Sequence, residues 1–155
     1  MKARLSVIDA LLVAMLALPV RQAGAQEGVT IWAGMGGASQ DGSMVFGRDA
    51  KQLGIQLSLP VVPVALRADA LLFGSRFDAE ALSYTAELVF QMRLPAVQPY
   101  GLLGRGRYSD GPTTTVRGYN YGGGARVGMG RFGVFAEMRR HDPISRTVTV
   151  IGVTF

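Results

Sequence analysis

Residues Arg146–Phe155 read RTVTVIGVTF, and this stretch decides the fold. It has no proline and no charge after Arg146, and most of its residues are β-branched or aromatic, types that fit a pleated surface. Successive side chains of a strand point to opposite faces. Phe155, Val153, Ile151, Thr149 and Thr147 therefore share one face, and Thr154, Gly152, Val150 and Val148 the other. An apolar strand with a free edge is a template for aggregation. The stretch needs a partner on each side, and a closed barrel supplies both.

The same period of two runs back through the chain. It predicts strands over Val29–Ser39, Lys51–Leu59, Val64–Phe73, Glu80–Leu94, Tyr100–Tyr108, Tyr119–Met129 and Phe132–Arg140, which with the last makes eight. Glu80–Leu94 is the clearest, with Leu82, Tyr84, Ala86, Leu88, Phe90, Met92 and Leu94 on one face and Ser83, Thr85, Glu87, Val89, Gln91 and Arg93 on the other. The first strand puts Val29, Ile31, Ala33 and Met35 on one face and sets Trp32 towards the interior. The second, fourth and sixth connections, at 60–63, 95–99 and 130–131, are tight. The others are longer or more polar, His141–Ser145 included. Such asymmetry fits transmembrane barrels, with short turns on one side and larger loops on the other. Strands of ~9–11 residues suffice to cross a bilayer when tilted.

Composition narrows the class. The chain has 155 residues, 21 glycines and no cysteine, which excludes disulfides and thiolate metal sites. Met1–Arg4 carries Lys2 and Arg4, Ala10–Val20 is an unbroken apolar run, and Ala23-Gly24-Ala25 is a small-residue exit. This pattern predicts a secretory signal peptide over residues 1–25 and a barrel domain over 26–155. Lys2, Arg4, Arg21 and Asp9 leave with it, so the mature chain keeps 13 basic and 10 acidic residues. A formal charge of +3, so dispersed, argues against nucleic acid. Lysine is nearly absent and arginine frequent, which suits enclosed, paired charges.

Alternation is shared by membrane barrels and by soluble lipocalin-like barrels, which turn the same pattern inside out. Three features favour the membrane form. The polar face is built of small residues with Arg67, Asp69, Glu87, Arg105, Arg107, Arg126, Glu137 and Arg139, a set that suits a narrow charged lumen. The apolar face carries Phe90, Tyr100, Phe132 and Phe155 towards the turns and Tyr84, Tyr108, Tyr119 and Tyr121 towards the loops, as aromatic belts require. A signal peptide and a terminal Phe accompany the pattern. If Gly74 faces Glu80 and Leu94 faces Tyr100, a row Arg67–Glu87–Arg107 crosses three neighbouring strands.

On these residues Gln26–Phe155 resembles the small eight-stranded outer-membrane barrels of the OmpA/OmpX type. The resemblance implies an all-β, antiparallel, up-and-down transmembrane barrel in the outer membrane, a monomer in contact with outer-membrane lipid. It further implies that Phe155, with Val153 and Ile151, is read by the barrel-insertion machinery, although Val153 stands where that signature has an aromatic. No periplasmic domain is expected after Phe155.

The expected role is structural or surface-interacting, with the lumen filled by side chains. A narrow transport pore and a soluble secreted ligand-binding barrel are the alternatives. No enzyme, cofactor or metal site is expected. His141 beside Asp142, with Ser145 nearby, lacks the geometry of a triad. Asp41, Asp49, Asp110 and Asp142 match no metal loop, and Gly122-Gly123-Gly124 lies mid-strand without a following helix. Intact-mass analysis of protein recovered from the outer-membrane fraction is expected to show cleavage after Ala25. Mature protein recovered soluble in the periplasm or medium would contradict the membrane form.

Overall fold

The computed structural model describes residues 28–40, 42, 47, 49–59, 62–74, 82–92, 94, 96–109, 114–129 and 132–155. The signal segment, Asp41 and Asp110 lie outside the described residues. Eight antiparallel strands follow in chain order: β1 Gly28–Ser39, β2 Ala50–Ser58, β3 Val64–Phe73, β4 Leu82–Gln91, β5 Gln98–Ser109, β6 Thr115–Met129, β7 Phe132–His141 and β8 Arg146–Thr154. Each strand pairs with the next, and β8 returns to β1, so the sheet closes with an up-and-down order.

Closure runs through the stretch that decided the fold. Gly34 lies opposite Gly152, Met35 opposite Ile151 and Ser39 opposite Thr147. The ladder extends to the last residue: Ile31 N–H donates to Phe155 O and Phe155 N–H to Ile31 O, both at 3.0 Å. Closure leaves no edge on which another chain could pair.

The pleat then sorts the side chains. Val29, Met35, Ile55, Leu57, Leu66, Leu88, Phe90, Leu103, Val134 and Ile151 are exposed outward, whereas Trp32, Gln52, Gln56, Arg67, Asp69, Glu87, Phe135, Glu137 and Arg139 are buried within. A soluble lipocalin-like barrel needs the reverse, with a polar exterior and an apolar cavity.

One strand departs from expectation. A five-residue turn at 95–99 would have set Glu87 opposite Arg107. Instead Gln91 pairs with Tyr100 and Glu87 with Gly104, because β5 already starts at Gln98. The register is three residues away from the expected one, and an odd shift moves every side chain to the other face. Tyr100, Leu102 and Tyr108 are thus buried in the lumen, while Leu103, Arg105 and Arg107 face outward.

Two local features permit this register. Pro99 sits inside the strand rather than in a turn, and its carbonyl accepts from Met92 N–H at 2.9 Å. The donor it lacks would have faced Met92, just past the end of β4, where the ladder is already ending. Gly104 supplies the second: a Cβ there would collide with Cγ of Glu87 and the carbonyl of Ala86. Only glycine lets the Glu87 side chain occupy that space.

A second difference lies at the β7–β8 connection. His141 is the last residue of β7 and fully buried, not part of a loop. The connection is one 3-10 turn, Asp142–Ile144, followed by Ser145 in the left-handed region (φ 50°).

Because the chain has no cysteine, single substitutions report the faces directly. In the folded barrel, Arg107→Cys is expected to react readily with a water-soluble maleimide and Tyr108→Cys to be protected. Equal labelling, or the reverse order, would contradict the observed register.

Candidate functional site

The most densely connected group of side chains fills the middle of the lumen. Arg67 and Asp69 come from β3, Glu87 from β4, and Glu137 and Arg139 from β7 on the far side of the barrel. Their inward placement follows from parity alone, since residues two apart on a strand share a face.

Each of the three carboxylates bridges both guanidiniums. Glu87 lies 3.2 Å from Arg67 Nε and 2.5 Å from Arg139 Nη1. Asp69 lies 3.2 Å from Arg67 Nε and 2.8 Å from Arg139 Nη2. Glu137 lies 2.6 Å from Arg67 Nη2 and also pairs with Arg139 Nη2. Arginine suits this role because its planar fork presents several donors at fixed angles.

Three carboxylates against two guanidiniums leave an excess negative charge, and neutral donors offset it one by one. Asn120 Nδ2 donates to Glu87 at 3.1 Å, Tyr100 Oη to Glu137 at 2.9 Å, and Gln52 Nε2 to Asp69 at 2.9 Å. The Arg67 guanidinium also lies over the Trp32 ring, 4.8 Å from its centroid. Burying this many charges is tolerable only where each one is paired and hydrogen-bonded.

Aromatic layers close the lumen on either side of the charges. Towards the turns, Trp32 packs edge-on against Phe135 and Tyr100, with centroids 4.6 and 5.5 Å away. Towards the loops, His141 Nδ1 lies 3.1 Å from Tyr108 Oη, and the ring of Phe73 packs edge-on against His141. Arg146 covers Phe73 at 5.3 Å.

The structure brings together five of the eight residues expected in the lumen network: Arg67, Asp69, Glu87, Glu137 and Arg139. The Arg67–Glu87 pair stands directly opposite across β3 and β4. Arg107 is not its third member; Arg139, reaching across the barrel, takes that place. Arg126 is on the inward face near the turns, but among the described residues it joins no ion pair. Arg105 and Arg107 are outside, for the register reason given above.

Of the aromatic belt, Tyr84, Phe90, Tyr119, Tyr121 and Phe132 face outward and are exposed. Tyr100 and Tyr108 do not: both are inward and buried. Phe132 and Phe155 pack edge-on at the turn side, 5.6 Å apart, and Ile151 and Val153 are exposed beside them. Trp32 is inward, as its parity predicts; the lumen partners missed from the sequence are Asn120 and Gln52, together with Tyr100, which was expected on the outer face. The available signal was the inward run of glycines on β5 and β6, which is the space that large neighbours fill.

No group of three or more His, Asp or Glu side chains able to hold a metal occurs among the described residues. No helix among them is long and apolar enough to cross a membrane, which says nothing about crossing by strands.

The fold and its two faces define a class: a closed eight-stranded up-and-down β-barrel, apolar outside and charged within, the architecture of small outer-membrane barrels. No protein-family model and no curated protein matches this chain. Among solved structures it is similar to Ail, the attachment invasion locus protein of Yersinia pestis, at 16% identity and a TM-score of 0.49, over 83% of this chain and 99% of that one. The same protein with the heparin analogue sucrose octasulfate gives 18% identity and a TM-score of 0.36, over 82% and 96%. A mutant porin of Rh. blastica gives 16% and 0.24, over 68% and 43%. Nothing about this chain's function follows from likenesses of this size.

Glu87→Gln leaves Asp69 and Glu137 bridging both guanidiniums. The expected loss is therefore that of the charge-assisted bonds Glu87 makes to Arg67 and Arg139, about 1.5–3 kcal/mol, which a thermal melt or heat-modifiability gel would read as a lowered unfolding temperature. An unchanged melt would show that Glu87 adds nothing to the stability of the cluster.

Proposed function

We propose that the mature chain is an integral outer-membrane barrel whose lumen is closed to ions, and which serves as a rigid scaffold for contacts made at its loop side. The filled lumen carries this reading. Ion pairs span from β3 to β7 across the full width of the barrel, and an aromatic layer closes each side of them. Eight strands leave an interior just wide enough for side chains, so a pore would require the cluster to come apart.

The membrane setting is supported by the exposed aliphatic band and by the outward aromatics at both of its ends. Phe155, Val153 and Ile151 face outward on the closing strand, a disposition suited to recognition by the barrel-insertion machinery. Closure of the sheet within one chain is compatible with a monomer surrounded by lipid.

The single test is conductance. Purified barrel in planar lipid bilayers is expected to give no discrete current steps. Reproducible steps from folded protein would overturn the plugged reading in favour of a narrow pore.

A further inference from the structure

The outward face has a charge asymmetry that the lumen does not explain. Within the strands the acidic residues are Asp69, Glu87 and Glu137, and all three point inward. Among the described strand residues, the charges on the outward face are all basic: Lys51, Arg105, Arg107, Arg117 and Arg140, all towards the loop side. Lys51 donates to the Gly74 carbonyl at 2.9 Å, and Arg140 lies 3.8 Å from Asp142. Among the described residues no ion pair involves Arg105, Arg107 or Arg117.

These three arginines are neighbours. Arg107 stands directly opposite Arg117 across β5 and β6, and Arg105 opposite Tyr119. Opposed residues have Cβ atoms ~4.5–5.5 Å apart, and like charges so placed repel. The repulsion is relieved when an anion sits between them. Tyr84 pairs with Arg107 from β4, and Arg105 lies 5.8 Å from the Tyr119 ring centroid. Four residues below Arg107 on the same face is Leu103, exposed in the aliphatic band. At ~3.3 Å per residue the two are separated by about 13 Å of strand, enough to reach from acyl chains into headgroups.

We infer that Arg105, Arg107 and Arg117, flanked by Tyr84 and Tyr119, form a docking surface for the phosphate headgroups of anionic lipid in the leaflet at the loop side. The inference rests on the membrane reading above and adds to it a lipid class and a location. Charge complementarity selects the occupant: paired guanidiniums match phosphate oxygens in a fork, the tyrosine rings suit the headgroup boundary, and the aliphatic band continues below. A basic side chain near an anionic surface contributes about fivefold in affinity, so the facing pair Arg107 and Arg117 is expected to contribute about 25-fold together.

The experiment uses the mature barrel and two readouts. Folding is followed by heat-modifiability in vesicles of phosphatidylcholine alone. Lipid binding is followed by native mass spectrometry of the folded barrel in a zwitterionic detergent, titrated with phosphatidic acid. The wild type is expected to fold in phosphatidylcholine and to bind phosphatidic acid, with affinity falling as salt rises. The Arg107→Gln/Arg117→Gln variant should fold equally well and bind about 25-fold more weakly, and Arg107→Lys/Arg117→Lys should recover most of the loss.

Equal binding by the wild type and the Gln variant would overturn the inference and leave the membrane reading intact. Competition by inorganic phosphate at the concentration of the lipid would also overturn it, by showing a free-anion site. Failure of the wild type to fold in phosphatidylcholine would remove the membrane reading and this inference together.

Discussion

Two guanidiniums held between three carboxylates, sealed from water in a narrow tube, are the constraint on which the rest of the molecule depends. An unpaired charge in such a place is costly. The barrel must therefore deliver Arg67, Asp69, Glu87, Glu137 and Arg139 to one level, with Asn120, Tyr100 and Gln52 beside them. These eight residues come from β2 to β7. A slip of one residue in a contributing strand would turn its member of the set to the outside. The cluster is therefore better understood as fixing register than as adding net stability, because exchanging solvation for pairing roughly breaks even.

Space in the lumen is the second half of the same constraint. The interior of an eight-stranded barrel has no volume to spare. Large inward residues such as Trp32, Arg139, Tyr108 and Phe135 are accommodated because glycine stands opposite or beside them. Gly124 leaves room for the Tyr100 hydroxyl, and Gly106 for the ring of Tyr108. The glycine content of the chain, puzzling for strands on propensity alone, is in this light the complement of its aromatic and charged content.

The two faces then have separate tasks. Inside, opposite charges are nearly matched and enclosed, which makes a plug rather than a path. Outside, among the described strand residues, the apolar band has no acidic residue, and its charges form a basic rim at the loop side. A surface of this kind suits a lipid boundary with anionic headgroups at one level, and the loops above it are left free to differ without disturbing the barrel.

The alternation in Arg146–Phe155 and Glu80–Leu94, the absence of helix periodicity and the tight turns determined the eight-stranded barrel and the direction of the side chains on every strand but β5. They also determined that Arg67 faces Glu87, because the loop between β3 and β4 has the assumed parity. Local sequence could not determine the β4–β5 register. Pro99 reads as a turn residue, yet it lies within β5, where the ladder to β4 has run out and its missing donor is not needed. That choice, made by the fit of Gly104 against Glu87, moved Tyr100 and Tyr108 into the lumen and Arg105 and Arg107 out of it. The pairing of Arg139 with Glu87 across the barrel was equally invisible, since no period along one strand encodes what stands on the opposite wall. Periodicity is a local property of the chain, whereas register and cross-lumen contact are settled only when the closed barrel fixes which side chains must share its interior.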